Sequence, residues 1–513
     1  MTSRTSKSII NAKLAMLFFL FNLIITFAFR KVFIECLGAE LLGLNSTIVS
    51  ILNLLNMTEL GINTAIAFFL YKPLNDNKHE EINKFIYIQG RLYCKVAYVI
   101  ILLSLFLLCF FPWIFSKITI ARWVPYATFG VMLFSSLLGY FVNYKQILLE
   151  ADQRSYLSKI IVQGITFIKS LLQIVAIIYL PNGYVYWLIL EFCAAITIAY
   201  LLDWRVKCYY PYLRFKIKDI AVIPKEVEKV VFEKIKQTFV HKIGYVVTNQ
   251  IPILFIYAFL SLSDITIYSN YQVLVLGLLS LLAALFSNIE AGIGNLVASS
   301  SACHIYDVFL EIFSLRFFIA SIFSFGFYMF SSLFVKVWIG DAYLLNEQSI
   351  SIFSLWILFN YLRDIPNYFL RAYGLVQDVW ATLVEIGMNL LLSGVFGYYW
   401  GVKGILFGAF FSTFCIGIIW RMYFLFTCGL KINAKVYLGI LFRYAIILIT
   451  TVLISLCVKR YCFPVDVTLG ISIFRNMIVV FVFSVVICAM LLVADKGMQY
   501  FFFRVKKIIC HEN

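Results

Sequence analysis

The chain has 513 residues, 63% of them hydrophobic and 13% charged, with a mean hydropathy of +0.93 and a formal net charge of +16. Soluble domains carry about 25% charged residues, so this balance excludes a soluble enzyme. The apolar residues fall in blocks of about 20, the length that crosses ~30 Å of hydrocarbon, and the alternating ~10-residue strands of a membrane β-barrel are absent from the sequence.

The fold class read from this pattern is an all-α polytopic membrane protein with about 14 transmembrane helices. In chain order the predicted spans cover 12–34, 44–70, 88–111, 124–147, 158–180, 184–203, 239–260, 267–297, 313–337, 350–372, 379–399, 402–426, 437–458 and 472–494. The first is too long and too polar at its far end for a cleaved signal peptide. Between the sixth and seventh lies the longest polar segment. There Pro224 opens a stripe of Val227, Val230, Val231, Ile235 and Phe239 among lysines, which reads as an amphipathic helix on the membrane surface. This gives an N-lobe at 1–204, a basic linker at 205–238, a C-lobe at 239–428, and a terminal pair of spans with a tail at 429–513.

The two lobes resemble each other. "TELGIN" in the second span meets "NIEAGIGN" in the eighth, and "IVQGITFIKSLLQ" in the fifth meets "LVEIGMNLLLSGV" in the eleventh. The offsets are similar, roughly 220–230 residues. Two pseudo-symmetric lobes of about six spans each, plus two extra C-terminal helices, follow from this order.

Charge sets the orientation. Arg4, Lys7, Lys13, Lys72, Lys78, Lys84, Arg154, Lys159, Lys431, Lys435, the linker cations and the tail cations all fall on one side. The opposite loops carry few, among them Lys117, Arg122, Lys336, Lys403, Lys459 and Arg460. The positive-inside rule then places both termini in the cytoplasm. This accounts for the basic balance without nucleic acid, through topology and anionic headgroups.

Inside the spans, polar residues line up at helical spacing. The second span carries Asn53, Asn56, Glu59 and Asn63, with Gly61 beside them. The first ends in Arg30, the third carries Arg91 and Lys95, and the fifth Gln163, Lys169 and Gln173. The eighth holds Glu290, the tenth Arg363, Asp364 and Arg371, and the eleventh Glu385 and Asn389. Each charge facing lipid costs about 2.5–3.5 kcal/mol, and six central ones on the order of 15 kcal/mol. They must therefore face a water-filled cavity or one another. Both arrangements stay open here: Lys169 with Glu59, Arg363 with Glu385, and Asp364 as a counter-charge to Arg363. Arg91, Lys95 and Arg371 lie near span ends, where snorkelling also serves. Pro252 in the seventh span and Gly61 are hinge candidates. The last two spans lack polar stripes and read as apolar walls.

No phosphate-binding G-x-x-x-x-G-K-[ST] loop is present, so the energy for transport has to come from an ion gradient (H+ or Na+), the membrane potential or removal of product. The 12 cysteines and four histidines show no metal spacing, leaving at most a bridge between Cys457 and Cys462. The outer loops are too short for a membrane glycosyltransferase or polysaccharide polymerase, which makes an enzyme the weaker reading.

The stretch "FRKVFIECLGAELLGLNSTIVSILNLLNMTELGINTAI" (29–66) resembles the start of bacterial Wzx-like polysaccharide flippases, in the multidrug/oligosaccharidyl-lipid/polysaccharide exporter superfamily. The pattern is Arg30, then Leu37, Gly38, Gly43 and Leu44, then Glu59, Leu60, Gly61 and Ile62. "LSLSDITIYSNYQ" and "FLRAYGLVQDVWATLVEIGMNLLLS" are similar to the family's C-lobe.

The resemblance implies two six-helix lobes alternating access to a central cavity in the bacterial cytoplasmic membrane. The substrate it implies is an oligosaccharide repeat unit on undecaprenyl diphosphate, for O-antigen or other surface polysaccharide. Membrane lipids, the polysaccharide polymerase and the chain-length machinery are the partners it suggests. Cavity cations (Arg30 by motif; Arg91, Lys95, Lys169, Arg363 and Arg371 by chemistry alone) would hold the diphosphate, since guanidinium matches phosphate with paired hydrogen bonds. Glu59, Glu290, Asp364 and Glu385 would serve as counter-charges or coupling sites. A multidrug or cation antiporter of the same superfamily is the nearest rival.

Overall fold

The computed structural model describes residues 4–59, 61–213, 243–244, 246–286, 289–375, 378–462 and 468–509. These residues form helices joined by short turns, with no strand among them. The whole of the expected surface helix of the basic linker, Pro224 to Phe239, and His241, lie outside them.

The chain divides into two compact units, Met1–Thr266 and Ile267–Asn513. The first contains α1 (Arg4–Leu37), α2 (Ala39–Leu55), α3 (Ile62–Asn75), α4 (His79–Ile114), α5 (Trp123–Phe141), α6 (Ile147–Ala151), α7 (Ser155–Tyr179), α8 (Gly183–Tyr209) and α9 (Val246–Phe259). Next comes α10 (Leu262–Leu285), which begins just before the boundary. The second unit continues with α11 (Ile289–Ser299), α12 (Ala302–Ile339), α13 (Glu347–Leu362), α14 (Asp364–Ala372), α15 (Val379–Trp400) and α16 (Val402–Ser412). Then follow α17 (Arg421–Phe424), α18 (Ala434–Cys462), α19 (Leu469–Ala494) and α20 (Lys496–Ile509).

Ten of the described helices are long and apolar enough to cross a membrane. The expected second, fourth, eighth and tenth spans are not continuous helices. The second breaks at a tight turn, Asn56–Glu59, followed by Gly61 at φ 100°. An L-residue there would meet its own backbone at a cost of about 1–2 kcal/mol, so glycine is what lets α2 turn into α3. The hinge assigned to Gly61 is thus a built break in the chain. The tenth span breaks at Arg363, between α13 and α14. Pro366 explains it: proline offers no N–H to the carbonyl of Leu362, and its ring crowds that turn. Pro252, by contrast, lies within α9, which runs helical from Val246 to Phe259. The sixth span runs to Tyr209, so residues 205–209 belong to α8 and not to the linker.

The order of breaks recurs. A broken pair (α2–α3, α10–α11) precedes a long helix (α4 of 36 residues, α12 of 38). A second broken pair follows (α5–α6, α13–α14), then two unbroken elements. The packing recurs as well: α3 meets α6 as α11 meets α14, α5 meets α8 as α13 meets α16, and α7 meets α8 as α15 meets α16. Close approach between α15 and α16 needs small residues, since a Cβ on Gly404 or Gly408 would strike the backbone of Phe396 or Ser393.

In the second unit an aromatic core surrounds α12. Phe309, Phe313 and Phe317 pack against Phe369, Phe426 and Tyr444. The terminal pair docks onto the same helix. Asn476 of α19 donates to the Met329 carbonyl at 2.7 Å. Asp495, fully buried after α19, holds Arg443 at 3.2 Å and accepts from Ser314. The expected wall therefore has a polar seam on its inner face. Its outward residues are apolar: Leu453, Phe474, Met477 and Phe481 are all exposed. Cys457 and Cys462 are free.

Candidate functional site

The break in the second span corrects its polar stripe. Asn53, Asn56, Glu59 and Asn63 do not share one helical face, because α2 ends before Asn56 and α3 restarts at Ile62. The turn instead aims its side chains at neighbouring helices. Asn56 Oδ1 accepts from Ser136 and from the Tyr140 hydroxyl, each at 3.0 Å. The Glu59 carboxylate lies within electrostatic reach of Tyr140 and Tyr93. Asn63 accepts from Gln89 at 2.8 Å. Glu59 thus sits in a pocket of phenols and amides formed by the α2–α3 turn, α4 and α5. Asn53, Arg91 and Gln163 are half-buried and Lys95 is exposed.

Lys169 does not bind Glu59. Its ammonium sits 2.8 Å from Glu191 on α8, and Gln173 donates to the same carboxylate at 3.1 Å. At the far end of α8, Asp203 bridges Lys145 at 2.9 Å and Lys207 at 2.5 Å. Just beyond it, Tyr210 donates to Asp152 at 3.0 Å, and burial together with that carboxylate holds the phenol far above its ordinary value. It stays a neutral donor.

The second unit gathers the remaining charges. Arg363 pairs with Glu385 at 2.8 Å, and its stem lies along Gly417, where a Cβ would sit 3.3 Å from Arg363 Cδ. Asp364 faces Arg316 at 3.8 Å and also lies in the field of its neighbour Arg363. Arg316 is 1% exposed, donates to the Tyr361 carbonyl at 3.3 Å and lies 4.3 Å from the Tyr361 ring centre. Arg371 binds Glu290 at 2.6 Å, joining α14 to α11. Arg421 reaches Asp378 at 3.4 Å and Thr382 at 3.1 Å. Residues Thr413–Trp420 and Leu425–Gly429, on either side of α17, are π-helical, a widened turn often found at functional sites. Asn389 is fully buried and accepts from Ser393 at 3.1 Å.

These groups form one field. Asp364 lies within reach of Arg363, Arg316, Arg371 and Glu290, and Arg421 within reach of Asp378, Glu385, Arg363 and Arg371. Each of the four arginines has its own carboxylate. The cluster is balanced rather than cationic. Sequence reasoning missed Arg316, Asp378, Arg421 and Glu191.

In the first unit, the end where α1 turns into α2 is tightly closed. Gly43 lies directly against the Leu262 carbonyl, leaving no space for a Cβ. The Thr266 hydroxyl donates to the Ala39 carbonyl at 2.6 Å, and Tyr257 to the Ile114 carbonyl at 2.5 Å. Beside this seam is a pocket of about 700 Å³ lined by Glu40, Trp113, Lys117, Tyr257 and Ser261. Glu40 accepts from the Thr119 amide at 2.8 Å. No group of His, Cys, Asp and Glu fit to hold a metal occurs among the described residues.

No protein-family model and no curated protein matches the chain. Solved structures do. It is similar to the lipid II flippase MurJ in an inward closed conformation, with 15% identity, a TM-score of 0.65, and coverage of 93% of this chain and 100% of that one. It is similar to the inward-facing conformation of a multidrug resistance MATE family transporter of the MOP superfamily, with 11% identity, a TM-score of 0.61, and coverage of 80% and 95%. An outward-facing conformation of such a transporter gives 10% identity, a TM-score of 0.51, and coverage of 84% and 97%. At these identities the likeness is one of fold: this chain has the helical membrane fold common to MurJ and the MATE transporters.

Proposed function

We propose that this protein is a flippase of the Wzx-like kind, moving an oligosaccharide on a polyprenyl diphosphate across the bacterial cytoplasmic membrane by alternating access. The observation that carries this reading is the α18–α19 pair. The MurJ likeness spans 93% of the chain and the inward-facing MATE likeness 80%, a difference comparable to the length of Ala434–Ala494. An added apolar face turned outward is of no use to a small soluble drug. It suits a substrate whose tail stays in lipid while its head crosses through protein. The short outer loops and the transporter neighbours speak for transport over catalysis.

The seam at Gly43, Leu262 and Thr266 supports the motion. Diphosphate recognition falls first to Arg30, the family-matched cation. Lys169, Arg363 and Arg371 each carry a carboxylate partner, so each would have to exchange that partner for phosphate. This balance is the one observation favouring the rival reading, an exporter of cations, where paired carboxylates would take the substrate.

The deciding experiment uses a strain lacking the protein. Surface polysaccharide and lipid-linked repeat units are measured with wild type or Arg30→Ala restored. The flippase reading expects lost surface glycan, accumulated complete repeat units, and rescue by wild type only. Persisting glycan with no accumulated intermediate would bring the cation exporter forward. Glu59→Gln is expected to keep the wild-type protein level, because an amide of the same shape fills the same polar pocket, while export slows. Equal loss of protein and export would reduce Glu59 to a structural group.

A further inference from the structure

Of the four ion pairs in the second unit's cluster, one is unlike the rest. Arg371–Glu290, Arg363–Glu385 and Arg421–Asp378 close to 2.6, 2.8 and 3.4 Å. Arg316 and Asp364 stand 3.8 Å apart, too far for a hydrogen bond. Asp364 makes no side-chain hydrogen bond among the described residues. Arg316 makes only the long one to the Tyr361 carbonyl, and its Nε is buried with no partner among them. The rings of Phe286, Tyr361 and Tyr368 lie around the guanidinium, 4.9, 4.3 and 5.2 Å from its central carbon.

A guanidinium keeps its charge at any physiological pH. One that water cannot reach needs an anion beside it at all times. Pairing leaves a single choice: Glu290 answers Arg371 and Glu385 answers Arg363, so Asp364 remains for Arg316. Yet the two ends of this pair differ. Arg316 is 1% exposed, and the Asp364 side chain is 41% exposed. The anion meets water while the cation behind it does not. Asp364 is also the first residue of α14, at the break that Pro366 imposes. On this short helix Asp364, Asn367, Tyr368 and Arg371 share one face and stay partly or fully open, while Ile365, Pro366, Phe369 and Leu370 are buried. The carboxylate is thus loosely held, reachable from solvent, and set where the chain turns.

Asp364 lies within reach of Arg363 and Arg371 as well. To these guanidiniums a carboxylate and a phosphate are the same kind of partner, an oxyanion that takes paired hydrogen bonds. We propose that Asp364 holds the place of the substrate's phosphate, and that on loading a phosphate displaces it and becomes the counter-ion of Arg316. Arg316 is then a phosphate-binding residue. Tyr368, whose ring lies 5.2 Å from both Arg316 and Arg371, joins the two cations into one site. Exchange is easier here than at Arg363 or Arg371, where a hydrogen-bonded carboxylate would have to leave. When the phosphate departs Asp364 returns, so Arg316 keeps an anion throughout and the substrate is not held. This inference rests on the flippase reading, in which a diphosphate has to be bound and let go.

The test is native mass spectrometry of the purified full-length protein, with geranylgeranyl diphosphate as the probe and geranylgeraniol as its uncharged control. Asp364→Asn removes the competing charge and keeps the shape. Retention of the diphosphate should rise about fivefold or more, with the alcohol unaffected. Asp364→Glu restores the charge and should bind as wild type does. Adding Arg316→Gln to Asp364→Asn should abolish the gain. Asp341→Asn, which removes a carboxylate beyond the other end of α12, should bind as wild type, so net charge alone is not the cause. Thermal midpoints taken without probe check folding. If the Arg316→Gln variant fails that check, Asp364→Asn against Asp364→Glu and Asp341→Asn carries the test. Retention by wild type that Asp364→Asn does not increase overturns the proposal and leaves the flippase reading standing. A gain that survives Arg316→Gln also overturns it. No retention by wild type or by Asp364→Asn overturns both.

Discussion

Arg363→Ala is expected to destabilise the protein by about 3–5 kcal/mol, and Arg363→Met combined with Glu385→Leu to recover most of that loss. Arg363 and Glu385 are 19% and 10% exposed and 2.8 Å apart. Removing the guanidinium alone leaves a largely buried carboxylate on α15 without its direct partner, with only Arg421, already bound to Asp378, in electrostatic reach. Removing both partners removes the desolvation penalty with the attraction, and apolar side chains of similar volume fill the space beside Gly417. Thermal midpoints in detergent give the ranking, with Arg363→Ala lowest. Export then separates the two readings of the cluster. If the double variant is stable but inactive, the charges act in transport. If stability and export return together, the pair only fastens α13 to α15. A single variant as stable as wild type would mean that water already solvates Glu385, and the balanced-cluster account would fail.

The same pair shows what the sequence could and could not convey. Arg363, Glu385, Glu290 and Arg371 stand out in the sequence because a charge inside a long apolar run is too costly to keep without a partner or a cavity. Helical spacing assumes an unbroken helix, however. It puts Asn53, Asn56, Glu59 and Asn63 on one face, and the turn at Asn56–Gly61 sends them to different neighbours. Gly61 is legible as a small residue beside a charge, but its positive φ is not, and Pro366, which breaks the tenth span, went unread. Arg316, Glu191 and Arg421 escaped for a separate reason. Each stands alone on its helix, with no polar neighbour one turn away to complete a stripe, and each finds its partner on another helix. Such a pairing is a tertiary fact. A lone intramembrane arginine is signal enough to make Arg316 a candidate; its partner cannot be named from sequence. The broken-helix order, repeated across the two halves, has its trace in the paired "TELGIN" and "NIEAGIGN" segments, both of which fall at breaks.

Gly43→Val is expected to stop export while leaving the protein folded. In the present structure a Cβ at position 43 would collide with the carbonyl of Leu262, and neither backbone has a flexible end that could move aside. Overpacking of this kind costs about 1–3 kcal/mol. The cost falls only on the conformation in which α2 and the start of α10 touch. In a conformation with this end open, a valine there meets nothing. The closed state would lose population about 5- to 150-fold, and a carrier that must close here once per cycle would slow accordingly. Gly43→Ala, with a smaller side chain, should slow it less. The check is labelling of Thr266→Cys, in a background without the native cysteines, by a membrane-impermeant thiol reagent. Thr266 is fully buried in the seam, so a cysteine there should react slowly when Gly43 is kept and quickly when Gly43→Val is added. If the rates are equal and export persists, the seam tolerates the valine without opening and is no moving part. If the protein instead fails to accumulate, the contact is needed for folding. Fast labelling together with lost export would identify the Gly43–Leu262 contact as a closure that has to break and re-form for the substrate to leave.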